Sequence, residues 1–172
     1  MKKILITGVA GMIGSHLADS LLEKGYSVTG IDDLSVGKME NVEQHFSNKN
    51  FQFKKINILD FPKLESILKE GEIIVHLAAT KKIGEEGSGY HTLTINTKGT
   101  ENMLELAKLH GCKIIIASTS DVYGMSPDLP LKEDGDLLLG PSMIKRWSYA
   151  VSKLYSEQLA FAYHKEFNVP IV

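Results

Sequence analysis

The chain is poor in cysteine: Cys112 is the single thiol in 172 residues, so no internal disulfide can form. Standing at the head of the apolar run CKIIIA, it reads as a buried, reduced thiol, and a cytoplasmic protein is expected. Net charge is also small. The 19 Lys and Arg against 21 Asp and Glu leave a formal −2, which offers no footing for nucleic acid. No segment has the roughly 20 apolar residues of a membrane span, and the glycine-broken start KKILITGVAGMIG is too short for a span or a signal peptide. The six histidines lack metal-ligand spacing, so no metal is expected, and His76 within VHLAA reads as a packed strand residue. Neither an internal repeat nor a low-complexity tract occurs. What remains is 43% apolar content, enough for one well-filled domain.

The apolar residues fall in alternating strand-like and helical patterns, which predicts an α/β, three-layer, doubly wound parallel sheet. Strands are expected near 3–7, 26–31, 51–56, 73–77, 112–118 and 169–172, and helices near 12–24, 61–70, 92–110 and 148–167. Pro62 suits a first helical turn; Gly25, Gly71 and Gly111 suit helix stops. Residues 34–48 are mixed and suit a short helix. The polar stretches 80–91 and 121–147 are the candidate functional loops.

Two constellations carry chemistry. In TGVAGMIG, Gly8, Gly11 and Gly14 fall on a strand-to-helix turn, where small residues let a pyrophosphate approach the backbone and the free N–H groups of a helix start. Asp32 ends the next apolar run, YSVTGID, where an acid can bond ribose hydroxyls and repel a 2′-phosphate; this favours NAD over NADP. Near the C-terminus, Tyr149 and Lys153 stand four residues apart on one helical face. A phenol becomes a proton carrier at neutral pH only beside a positive charge, and Lys153 is placed to supply one; many solvated helices display the same pair.

Together TGVAGMIG, Asp32, VHLAA, NTKGTENMLE, ASTSDVYG and YAVSK resemble the extended short-chain dehydrogenase/reductase family of nucleotide-sugar epimerases, dehydratases and decarboxylases, over essentially the whole chain. The resemblance implies a Rossmann fold, with Gly8, Gly11, Ile13 and Gly14 at the NAD pyrophosphate and Asp32 at the adenosine ribose. Asn57 and Ile58 occupy the place of an adenine contact, where Asn57 can accept through its carbonyl. Ala78 and Ala79 would line the cofactor groove. Asn96 would brace the catalytic strand or approach the nicotinamide; otherwise it is a polar residue facing solvent.

The same resemblance makes Thr119 the catalytic hydroxyl and Tyr149 the proton carrier, with Lys153 bonding the nicotinamide ribose and lowering the Tyr149 pKa. The implied reaction removes a sugar hydroxyl proton with hydride transfer to NAD, giving a 4-ketosugar that an epimerase or dehydratase carries forward. A UDP-glucuronate decarboxylase-like enzyme is the alternative, and a non-catalytic NAD-binding sensor is a reading from another class. Asp121, two residues past Thr119, either acts on the ketosugar or caps its loop. Arg146 either meets a phosphate or carboxylate or is solvated, and the same choice applies to Lys81 and Lys82 toward a sugar diphosphate. Tyr123 reads as structural.

Family members continue well beyond this length. Residues 1–172 are therefore expected to be the NAD-binding Rossmann domain of a truncated chain, with the C-terminal substrate-binding portion absent, able to bind NAD but weak in turnover. The expected partners are a nucleotide-diphosphate sugar and a second copy of the chain, met through the helices near 92–110 and 148–167.

Overall fold

A computed structural model describes residues 2–68, 72–81 and 89–172. The apolar run KILIT forms β1 (Lys3–Thr7), and the glycine turn leads into α1 (Met12–Glu23). Then come β2 (Ser27–Asp32), β3 (Phe51–Lys55), α2 (Phe61–Ile67) and β4 (Ile73–His76). The remainder is α3 (Gly89–His110), β5 (Lys113–Ile116) and α4 (Trp147–Phe167). The strands pair in parallel in the order β3-β2-β1-β4-β5. The order reverses between β1 and β4, and open α/β sheets bind ligands beyond the strand ends at such a point.

Strand alternation sorts the core onto two faces. Leu5, Ile31, Ile74 and Ile114 are buried with Leu64 of α2, Met103 and Leu106 of α3 and Ala160 of α4. Ile4, Ile6, Val28 and Val75 pack on the other face with Ala18 and Leu22 of α1. Single-residue alternation along β1 thus builds both layers.

Helix ends follow local chemistry. Asp60 caps α2 by accepting from the Lys63 N–H at 3.4 Å, with Pro62 in the first turn. The expected strand at 169–172 is a single parallel bridge, Ile171 to Ile114, flanked by backbone bonds along the open side of β5. The stretch 34–48 holds two short 3-10 turns, Met39–Asn41 and Glu43–His45, in place of one helix. The expected loop after β5 contains a 3-10 turn, Ser120–Tyr123, and a parallel bridge from Gly124 to Leu138. Gly71 and Lys82 lie outside the described residues.

Candidate active site

The cradle for a cofactor starts at Gly8, whose φ of 72° lies in the left-handed region and whose added Cβ would stand 2.9 Å from the Ala78 nitrogen. At Gly14 a Cβ would stand 2.3 Å from the Gly8 carbonyl oxygen. These two glycines let the turn fold tightly between β1 and β4. Gly11 caps α1 with no side chain, which leaves the first N–H groups of the helix without a side-chain partner. Ile13, in that first turn, is exposed.

Gly8, Gly11, Asp32, Asn57, Ala78 and Ala79 line one groove, and Ile58 joins them. The Asp32 carboxylate accepts from the Ala10 N–H at 3.0 Å and from the Leu34 N–H at 2.8 Å. Burial raises its pKa, and those two backbone bonds oppose the rise. Each carboxylate oxygen keeps a lone pair for a ribose hydroxyl. Asn57 donates through Nδ2 to Asp33 at 2.7 Å and accepts at Oδ1 from the Leu59 N–H at 2.8 Å. Its carbonyl therefore has one remaining lone pair to offer an adenine amino group. The bare turn, the free helix start and the acceptor pair together fit a dinucleotide.

Beside this groove, the ends of β4 and β5 and the first turns of α4 assemble a polar cluster. Thr119 caps the 3-10 turn by accepting from the Asp121 N–H at 3.2 Å, and its hydroxyl also bonds the Tyr149 phenol. Lys153 is buried and donates through Nζ to the Ala117 carbonyl at 2.9 Å. Burial lowers its pKa to about 8, with Glu157 one turn later opposing the fall. Glu157 also accepts from the Ser118 hydroxyl, so α4 grips the tip of β5 at two successive residues.

The expectation that Lys153 lowers the Tyr149 pKa is corrected here. Burial raises Tyr149, the cation that opposes the rise is Lys81, Asp121 adds to the rise, and the Thr119 bond lowers it. Lys81 pairs with Asp121 at 2.6 Å and places Nζ 4.9 Å from the centre of the Tyr149 ring. It is therefore not a freely solvated lysine, and the Asp121 side chain is an ion-pair partner, not a loop cap. Arg146 is exposed with its guanidinium 5.5 Å from the Trp147 ring.

Asn96 neither faces solvent nor braces β5. It is 1% exposed and clamps Thr80, accepting from the Thr80 N–H at 2.8 Å and donating to its carbonyl at 3.0 Å. The same amide donates to the Ser152 hydroxyl of α4 at 2.9 Å. Beneath it runs a buried chain of hydroxyls. Thr7 Oγ1 accepts from the Leu77 and Ala78 N–H groups, so its own proton goes to His76 Nδ1, 2.7 Å away. His76 Nε2 then donates to Thr100 Oγ1 at 3.2 Å, and Thr100 donates to the Asn96 carbonyl at 2.7 Å. Full burial, aided by the Lys153 charge, lowers the His76 pKa to about 3 and keeps the ring neutral.

Sequence reasoning missed how Lys81, Glu157 and the His76 chain are used. The signal for Lys81 was present as opposite charges just past two strands, but it has meaning only once β4 and β5 are known to be neighbours. No cluster of three or more His, Cys, Asp or Glu that could hold a metal is found among the described residues.

The sequence matches the GDP-mannose 4,6 dehydratase family over residues 5–172. It is 37% identical over 163 residues to a UDP-N-acetyl-alpha-D-glucosaminuronate decarboxylase of Bacillus cytotoxicus, covering 94% of this chain and 50% of that one. It is likewise 37% identical to UDP-glucuronic acid decarboxylase 1 of Danio rerio, covering 99% of this chain and 40% of the relative. Among solved structures, UDP-glucuronic acid 4-epimerase from Bacillus cereus, in complex with UDP-glucuronic acid and NAD, superposes with a TM-score of 0.80 at 37% identity, covering 99% of this chain and 55% of that one. The chain thus spans about half the length of the relatives it matches. The chain belongs to the extended short-chain dehydrogenase/reductase family of NAD-dependent nucleotide-sugar epimerases, dehydratases and decarboxylases.

Proposed function

We propose that the protein binds NAD and acts on a nucleotide-diphosphate sugar through a transient 4-ketosugar, with an epimerase or dehydratase outcome. The observation that carries this reading is that Thr119 bonds the Tyr149 phenol while Lys153, one turn later on α4, donates to the Ala117 carbonyl two residues before Thr119, beside the glycine cradle. NAD, when bound, supplies the hydride acceptor. Gly8, Gly11, Ile13 and Gly14 present backbone to its pyrophosphate, Asp32 accepts from the adenosine ribose, and Asn57 and Ile58 border the adenine. Tyr149 acts as its phenolate, the form that Lys81 and the Thr119 hydroxyl favour, and takes the proton of the sugar hydroxyl as that O–H bond breaks; the carbon gives up hydride and the C=O bond forms. Thr119 steadies the sugar oxygen through that transfer, and Lys153 holds the nicotinamide ribose. For a dehydratase outcome, the Asp121 carboxylate takes the proton from the carbon next to the ketone as that C–H bond breaks and hands it to the departing hydroxyl, which leaves as water.

A second reading, uronate decarboxylation, is favoured by the similarity to the two decarboxylases. There the ketone activates loss of carbon dioxide. A sensor that merely binds NAD has no use for an assembled Thr, Tyr and Lys. The single buried Cys112 suits a reducing cytoplasm.

Incubation with NAD and a panel of UDP-, GDP- and dTDP-sugars, followed by mass analysis, tests these readings. A mass-neutral isomer or loss of water supports the first, and loss of carbon dioxide supports the second. Tyr149→Phe is expected to abolish turnover while NAD still raises the melting temperature. Unchanged turnover in that variant would sink the proton-carrier assignment.

A further inference from the structure

Lys81 is built into its position. It directly follows Thr80, whose backbone N–H and C=O are both held by Asn96, so the lysine stem leaves from a fixed point. From there its ammonium reaches Asp121 at 2.6 Å and stands 4.9 Å from the Tyr149 ring centre. Three elements that are distant in sequence therefore place one cation and one anion against a single phenol. Near the start of α4, Lys153 donates to the Ala117 carbonyl and Arg146 lies against the Trp147 ring.

We propose that Lys81 and Asp121 form a charge clamp over Tyr149, with the Lys81 ammonium as the positioning cation of the phenol and Asp121 as the carboxylate that holds it there. The inference rests on the reading of Tyr149 as the proton carrier. Its physical content is a balance between two charges. The anion of Tyr149 is favoured by Lys81 and disfavoured by Asp121, while Thr119 adds a favourable hydrogen bond. Losing the lysine would leave the phenol facing an uncompensated carboxylate. Asp121 alone would thus work against the proton transfer that Thr119 and Tyr149 are proposed to perform, which gives a carboxylate at this place a reason to be matched by a lysine from the segment that follows β4.

The test is a site-resolved titration that needs no substrate. The six tyrosines are replaced by 3-fluorotyrosine, whose phenol is more acidic, and followed by fluorine NMR. The Tyr149 resonance is the one missing in Tyr149→Phe. Lys81→Met is expected to move the Tyr149 titration to higher pH, Lys81→Arg to leave it near the parent value, and Lys81→Met with Asp121→Asn to bring it part of the way back. The clamp is overturned if Lys81→Met causes no shift, or if Lys81→Arg shifts it as far as Lys81→Met. Lys81 is half-exposed, and unmoved resonances from the other tyrosines show that the fold is retained. If no nucleotide sugar is turned over, the proposed function fails while this titration still decides the clamp.

Discussion

His76 shows how much a single buried group can contribute. With the folded pKa near 3 and the ordinary value at 6.5, the unfolded chain binds a proton between those limits that the folded chain refuses. Stability from this residue is therefore complete above about pH 6.5 and is lost as pH falls toward 3, on the order of 5 kcal/mol across the window. Urea unfolding of the parent and of His76→Gln at pH 7 and pH 4.5 checks this. The variant should lose distinctly less stability between the two conditions, and equal losses would refute the assignment. Placing His76 on a packed strand was possible from VHLAA alone. That its ring joins Thr7 to Thr100 was not, because those partners lie 69 and 24 residues away in sequence.

Among the secondary-structure elements, α4 shows where sequence succeeds and where it stops. Its span and the four-residue spacing of Tyr149 and Lys153 followed from periodicity, and so did the strand ends that face it. The orientation of the Lys153 ammonium did not, since it depends on the Ala117 carbonyl just past β5. Burial of that ammonium yields a second pH effect of opposite range. Between pH 8 and 10.5 the unfolded chain holds a proton that folded Lys153 releases, so its contribution to stability rises with pH by roughly 3 kcal/mol at most. Subtracting the stability curve of Lys153→Met from that of the parent over this interval should leave an upward slope; a flat difference would show that the lysine is not desolvated as the structure has it. Short irregular elements were the least readable. The 3-10 turns at 39–45 and 120–123 have no period long enough to recognise, and the second depends on a cap from Thr119.

For the molecule as a whole, the layered sheet could be read because short apolar strands alternate with helical patterns along most of the chain. Strand order is a different kind of information, and the pairing of Lys81 with Asp121 depends on it. Association is open to the same kind of argument. Val151 and Tyr155, one turn apart on α4, are exposed at 42% and 46%, larger apolar surface than a lone helix face needs. We infer a homodimer through α3 and α4. Light scattering behind gel filtration should report two copies for the parent and one for Tyr155→Lys; a parent that runs as a monomer throughout the micromolar range would end that inference.

The hydroxyl chain beneath the glycine turn has one more implication, which concerns direction. Each proton in it has one destination: Thr7 to His76, His76 to Thr100, and Thr100 to the carbonyl of Asn96. A backbone carbonyl cannot pass a proton onward, so the wire ends blind inside the protein. The Tyr149 phenol bonds Thr119 and not this chain, so the buried hydroxyls brace the sheet edge and offer the proposed proton carrier no path inward.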